Sequence, residues 1–243
     1  MQLNIFHNEE ELIVALANYV VESAKQSIAR NKKFSIVLSG GNSPKKLYAL
    51  LASDLFREKI QWEHVYFFFG DERYVPSTDP ESNYGMAKTV LFDPLHIQPS
   101  HIFPVDTKLN PQAAAQQYAE QISNYFAAED WRFELVLLGL GDNAHTASLF
   151  PSTPVLLETV ASVSSVFLED KSVYRITMNA PLLNQAHRIA FLVYGESKAI
   201  AVQHVLEDAY NADLFPAQLI APQSGELVWF LDTEAASKLQ KKS

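Results

Sequence analysis

An α/β fold, with a mostly parallel sheet covered by helices on both faces, is what this sequence predicts, and three observations carry that expectation. Short runs such as Phe34-Ser-Ile-Val-Leu38, Val65-Tyr-Phe-Phe-Phe69 and Leu135-Val-Leu-Leu138 are apolar at nearly every residue, as strands buried on both faces must be. These runs alternate with segments of helical periodicity, the pattern of strand–helix–strand units. Several of them end abruptly in glycines or charges, so each strand delivers a polar loop to its carboxyl end, where open α/β sheets bind ligands.

The elements are taken in chain order. A helix is expected from Glu9 to Ala29, because Leu12, Leu16, Tyr19, Val20 and Ala24 recur on one stripe. Phe34–Leu38 is the first strand, Pro44–Leu51 a helix, Val65–Phe69 the second strand and Asn83–Leu91 another helix. A helix near Gln112–Phe126 precedes the strands Leu135–Leu138, Tyr174–Met178 and Ile189–Tyr194, and a helix runs from Glu196 to Leu206. The stretches Pro76–Pro80 and Pro151–Pro154 have the length of loops rather than linkers, so residues 1–243 read as a single domain. The tail Lys238–Ser243 reads as a frayed helix end.

Composition narrows the function. With 48% hydrophobic residues among 243, the chain has ample material for a core. Its formal net charge of −9, from 19 basic and 28 acidic side chains, argues against nonspecific nucleic-acid binding, though a local basic pocket can still hold a small anion. The amino-terminal residues lack the basic start and apolar core of a signal peptide, and no apolar run approaches the ~18 residues of a membrane span. A cytoplasmic protein is expected. The absence of cysteine rules out disulfides, thiol nucleophiles and thiolate metal ligands, and the seven histidines show no metal-binding spacing, so no metal is expected.

Four loops hold the candidate chemistry. Leu38-Ser-Gly-Gly-Asn-Ser-Pro44 follows the first strand directly, with Ser43 and Pro44 placed as N-cap and first residue of the next helix. Gly40 and Gly41 let the backbone approach a ligand, so Gly40, Gly41, Asn42 and Ser43 form a candidate phosphate site at a helix N-terminus; a plain strand-to-helix turn fits equally well. Phe69-Gly-Asp-Glu-Arg-Tyr-Val-Pro76 places Asp71, Glu72 and Arg73 at the same sheet edge, either as a solvated loop start or as a carboxylate and guanidinium that position a polar substrate.

The third loop, Gly139-Leu-Gly-Asp-Asn-Ala-His145, brings a histidine to the end of a buried strand, where an unperturbed pKa near 6.5 makes it a candidate general base. Its glycines formally match a dinucleotide-binding loop, but Pro151 and Pro154 stop any helix launched there after about two turns. Arg175 lies within the apolar strand Val173-Tyr-Arg-Ile-Thr-Met178 and needs an anion. Lys198 stands in the first turn of a helix, where the macrodipole disfavours a cation unless it serves a ligand; for both, surface pairing with Glu196 or Asp170 is the alternative.

Together these loops resemble the 6-phosphogluconolactonases of the glucosamine-6-phosphate isomerase/deaminase superfamily. The resemblance rests on Leu38–Pro44, Asp71-Glu-Arg73 with Ser82-Asn-Tyr-Gly85, Gly139-Leu-Gly through His145-Thr-Ala-Ser-Leu-Phe-Pro151, Arg175-Ile-Thr and Gly195-Glu-Ser-Lys-Ala199, and spans essentially the whole chain. It implies a three-layer αβα fold with a Rossmann-like sheet, and hydrolysis of 6-phosphogluconolactone, the second step of the oxidative pentose phosphate pathway. By the same resemblance His145 activates water, Asp71 and Arg73 orient substrate or base, and Gly41, Asn42, Ser43, Arg175 and Lys198 hold the phosphate. No cofactor, metal, nucleic acid, membrane or obligate protein partner is implied, only a phosphorylated sugar lactone.

One departure stands out. The family commonly carries Asp-Gly before the histidine, whereas this chain has Asn143-Ala144, which leaves the orienting partner of His145 open between Asn143 and Asp142. The sister activity, deamination of glucosamine 6-phosphate, usually goes with an Asn-Glu-Pro segment after the histidine; here Ser148-Leu-Phe-Pro151 has no carboxylate. A catalytically silent sugar-phosphate binder is the further alternative.

Overall fold

The computed structural model describes residues 1–127 and 130–240. Strand β1 (Gln2–Phe6) leads into α1 (Glu9–Asn31), which the Asn8 side chain caps by accepting from the Glu11 N–H at 2.9 Å. Glu9, Glu10 and Glu11 in its first turn and Arg30 in its last complement the helix dipole. Next come β2 (Phe34–Leu38), α2 (Asn42–Ala52), β3 (Val65–Phe69) and the three-residue β4 (Asp71–Arg73). Helix α3 (Asn83–Ala87) passes into a wider π-helical turn over Lys88–Phe92, so the helix expected over Asn83–Leu91 is present in two geometries. Helix α4 (Pro111–Tyr125) is capped by Asn110, with proline at the first helical position, where its missing N–H costs nothing. Strands β5 (Leu135–Leu138), β6 (Val163–Leu168) and β7 (Val173–Met178) precede the single-turn α5 (Ala180–Leu183), β8 (Arg188–Val193), α6 (Ala199–Leu206) and β9 (Glu226–Asp232).

Among the described residues six strands form one sheet in the order β1-β9-β8-β5-β2-β3, every pairing parallel. The expected α/β fold is therefore present. Alternate residues of each central strand serve opposite faces. Val37, Phe68, Val136, Leu138 and Phe191 enter one apolar core, while Ile36, Leu38, Phe67, Phe69, Leu137 and Leu192 enter the other with α1 and α2. From β2 the chain winds outward to β3, then returns past β2 to β5 and continues through β8 to β9. The direction of winding thus reverses between β2 and β5, and their carboxyl ends diverge to leave a crevice.

The second sheet differs from expectation. Tyr174–Met178 was expected as a strand of the parallel sheet; it belongs instead to β7, the centre of a small antiparallel sheet ordered β4-β7-β6. At Gly70 the chain leaves the main sheet: the Gly70 N–H still donates to the Leu38 carbonyl, and its own carbonyl accepts from Met178 of β7. Strands β1, β4, β6 and β9 were not anticipated; β1, β4 and β6 lack a clear apolar run, whereas β9 carries Leu227-Val-Trp-Phe-Leu231, apolar at every residue, and was legible by the same criterion as β2 and β3. Residues 238–240 are not helical, and the remainder of the expected C-terminal helix end lies outside the described residues. No helix among the described residues is long and apolar enough to cross a membrane.

Candidate active site

The crevice at the β2/β5 reversal is a cleft of about 480 Å³. All nine residues singled out in the sequence line it: Gly40, Gly41, Asn42 and Ser43 after β2, Asp71 and Arg73 on β4, His145 after β5, Arg175 on β7 and Lys198 before α6.

The β2 loop enters its helix earlier than expected. Ser43 is not the N-cap; Gly41 is, with φ 101°, a conformation open to a residue without Cβ, and no side chain caps the helix. Pro44 consequently sits at the third helical position, still within the set of N–H groups that have no intrahelical partner. The first turn of α2 therefore presents uncapped backbone donors to the cleft. Tyr194, which follows β8, lines the same wall as Ser43.

After β5, residues 139–153 run as turns, so the glycines launch no helix and the dinucleotide pattern is a coincidence. Main-chain bonds fix this loop: the Gly141 N–H donates to the His145 carbonyl at 2.8 Å, that of Ala144 to Gly141 at 2.9 Å, and that of Ala217 to the Ala144 carbonyl at 2.9 Å. The His145 ring folds back over Gly141 so closely that a Cβ there would lie 2.0 Å from it, so only glycine fits. On another side the ring stacks on Phe150, with centroids 4.1 Å apart and planes at 22°.

The partner of His145 is Asn143, whose Oδ1 lies 2.5 Å from Nδ1. An amide oxygen only accepts, so Nδ1 carries the proton and Nε2 keeps its lone pair. Burial lowers the imidazole pKa to about 4; the Lys171 and Lys198 charges push the same way, Asp142 opposes them, and Arg175 adds a smaller lowering. At neutral pH the ring is uncharged, the state a general base requires.

On the opposite wall β4 alternates. Asp71 and Arg73 line the cleft, while Glu72 turns inward and accepts from the backbone N–H groups of Arg73 (2.8 Å), Asn83 (2.7 Å) and Tyr84 (2.8 Å), fastening the strand to the start of α3. Burial raises the Glu72 pKa against those hydrogen bonds. Asp71 is held at both oxygens, by the Ser148 hydroxyl at 2.6 Å and the Asn83 amide at 3.3 Å, so it is an oriented acceptor rather than a free loop carboxylate. Arg73 donates to the Glu81 carbonyl at 2.7 Å and stands directly across from Arg175 in the β4–β7 register. Burial, and after it the neighbouring Arg73 charge, lowers the Arg175 pKa, while Asp71, Glu81 and Glu72 oppose the shift.

Lys198 pairs with neither Glu196 nor Asp170 but with Asp142, at 2.7 Å. A fourth cation, Lys171, was missed: it lies in the β6–β7 turn, lines the cleft and stands 5.4 Å from the centre of the Phe150 ring. Its setting, Glu169-Asp-Lys-Ser172, looks like any exposed charged turn, and only the hairpin pairing brings it near His145. Ser148 and Asn83 were likewise invisible as supports of Asp71, because the contacts span 77 and 12 residues of chain.

Residues 7–229 match the family described as glucosamine-6-phosphate isomerases/6-phosphogluconolactonase, and the chain belongs to that family. It is 37% identical to a 6-phosphogluconolactonase of Synechocystis sp., over 98% of each chain. The 6-phosphogluconolactonase structure from Trypanosoma brucei is 32% identical and superposes with a TM-score of 0.82, covering 98% of both chains. A monomeric glucosamine-6-phosphate deaminase superposes with the same TM-score of 0.82 at 24% identity over 98% of this chain and 100% of its own, so the fold by itself does not separate the two activities.

Proposed function

We propose that this protein is a 6-phosphogluconolactonase, opening 6-phosphoglucono-1,5-lactone to 6-phosphogluconate as the second step of the oxidative pentose phosphate pathway. The observation that carries this reading is one cleft holding a neutral histidine together with four cationic side chains, in a chain whose net charge is −9. The Synechocystis and Trypanosoma relatives, named for the same activity, support it.

In this mechanism the phosphate dianion binds among the uncapped N–H groups of α2 and the Arg175 and Lys198 charges, which fixes the sugar ring against His145. Nε2 takes a proton from a water as its oxygen bonds to the lactone carbonyl carbon. The tetrahedral oxyanion is met by nearby donors and cations, then collapses with cleavage of the ring carbon–oxygen bond. The imidazolium returns its proton to the departing ring oxygen, which becomes a hydroxyl, and the carboxylic acid ionises in solvent. Asn143 keeps Nδ1 protonated throughout, and the Asp71 and Arg73 pair orients the ring hydroxyls or the attacking water. The reaction engages no nucleic acid, membrane or second protein, residues 1–243 act as one unit, and the cytoplasm is the expected compartment.

The deaminase reading has no carboxylate to assist ring opening anywhere from Thr146 to Leu157, and Ser148 is already committed to Asp71. The test is hydrolysis of freshly generated lactone slightly below neutral pH against the spontaneous rate. Acceleration lost in His145→Ala is expected; ammonia released from glucosamine 6-phosphate, with no lactone acceleration, would overturn the assignment.

A further inference from the structure

Lys198 is oddly placed for a structural cation. It occupies the N-cap of α6, where the helix dipole repels positive charge, and its side chain is mostly buried in the cleft wall at 25% exposure. Its main chain is fixed: Lys198 donates to the Gly195 carbonyl at 3.0 Å, and the Gly195 N–H is held by the buried Asp232 carboxylate at 3.0 and 3.1 Å. The anion that meets its ammonium, Asp142, belongs to the His145 loop and is 73% exposed. Asp142 does not line the cleft, and among the described residues no other hydrogen bond ties its carboxylate down.

We propose that Asp142 competes with the substrate's phosphate for the Lys198 ammonium and so sets the affinity of the cleft for phosphorylated ligands. The proposal rests on Lys198 as a phosphate ligand in the lactonase reading. Three features carry it. The ion pair is largely solvated on the aspartate side, so its net worth is small and a doubly charged phosphate that also gains the α2 N–H groups and Arg175 displaces it. The exchange needs only a side-chain rotation, because the loop backbone around Asp142 is held by the Gly141–His145 and Ala144–Gly141 bonds. His145 therefore stays in place while Asp142 leaves, and its hydrogen bond to Asn143 is untouched.

The opposite role is equally concrete: Asp142 would hold Lys198 in the geometry that phosphate needs, and its removal would weaken binding. Calorimetric titration with inorganic phosphate at constant ionic strength separates the two. Asp142→Asn, an isosteric change at an exposed side chain, is expected to bind phosphate about two- to fivefold more tightly than the wild type. In a Lys198→Met background the same substitution is expected to change nothing, since the competition has no object. Weaker or unchanged binding by Asp142→Asn, an equal gain with Lys198→Met, which would mark a general field effect, or no phosphate binding by either protein, overturns the proposal. Phosphate binding is read without turnover, so its result is independent of the lactone assay that tests the activity itself.

Discussion

His145 and Arg175 face the same cleft from walls of different construction. The wall at the end of the parallel sheet offers backbone N–H groups and one uncharged ring, and main-chain bonds hold it: Gly41 sets the start of α2, and the Gly141–His145 bond closes the loop over the imidazole. The wall formed by β4 and β7 offers formal charges, Asp71, Arg73 and Arg175, and side chains such as Ser148, Asn83 and Glu72 hold it. The first wall places the reacting ring and cradles the phosphate through main-chain N–H groups, and the second adds the side-chain charges that attract and orient the anion. Substitution of His145 on the first should act on kcat, and substitution of Arg175 on the second on KM.

The largest effect tests that division on the first wall. His145→Ala is expected to lower kcat by roughly 10²–10⁴-fold with little change in KM, the mark of a lost general base. Full turnover by this variant would remove the histidine from the mechanism. On the second wall, Arg175→Ala deletes a charge-assisted contact worth about 1.5–3 kcal/mol and should raise KM by about 10- to 100-fold, with kcat changed far less. A fall confined to kcat in steady-state kinetics would dissolve the division of labour between the walls.

The pH profile connects the walls, because the cations of one set the basicity of the other. With its pKa lowered to about 4, His145 is neutral at and above pH 5, so once the fall due to protonation of the substrate phosphate (second pKa about 6) is divided out, kcat/KM should be level from there through neutrality and decline only near pH 4. Lys171 favours the neutral ring, so Lys171→Met should move that acid limb to higher pH; an unmoved limb would show that the charge does not reach the imidazole. The same shift bears on stability. In the unfolded chain the histidine takes its proton near pH 6.5, so as pH falls from there towards about 4 only the unfolded state gains it, and this contribution to stability is progressively lost. Asn143→Asp places a carboxylate 2.5 Å from Nδ1, which stabilises the imidazolium, raises the acid limb and strengthens the base. A gain in kcat of up to about tenfold is expected, corresponding to about 1.4 kcal/mol; a loss would mean the base is already matched to its task.

The two walls were also unequally legible. Strands β2, β3, β5 and β8 announce themselves as apolar runs, and each runs into a loop at a known edge of the sheet, so His145 and Gly40–Ser43 could be placed from the sequence. Strand β4 is three charged residues, and β6 has the half-exposed pattern of an edge strand over Ser164 and Ser165, so neither shows the periodicity that marks a strand. Without them β7 was assigned to the wrong sheet, and Lys171 had no reason to approach His145. The N-cap of α2 was misplaced for a different reason: Ser43 and Pro44 have the right residue types, but the positive φ of Gly41 starts the helix two residues earlier. Asp71 and Arg73 were found because their charges end an apolar run, whereas the clamp on Asp71 comes from Ser148 and Asn83, a tertiary contact that local sequence does not encode.

The smallest effect probes the main-chain wall itself. Ala144 lies in the left-handed region at φ 59°, the position where the family commonly has glycine, and its methyl is fully buried in the core beneath the cleft. Ala144→Gly relieves about 1 kcal/mol of backbone strain. It also removes a buried methyl worth about 0.8 kcal/mol and frees the unfolded chain by about 0.4–1 kcal/mol. The balance is near zero and slightly destabilising, so Tm is expected to fall by no more than about 4 °C. Because Asn143 Oδ1 and the bond from the Ala217 N–H to the residue 144 carbonyl do not depend on that methyl, kcat should be unchanged. A rise of several degrees would show that strain outweighs packing at this residue, and a large loss of kcat at unchanged Tm would show that the methyl, rather than the main-chain bonds, holds His145 against Asn143.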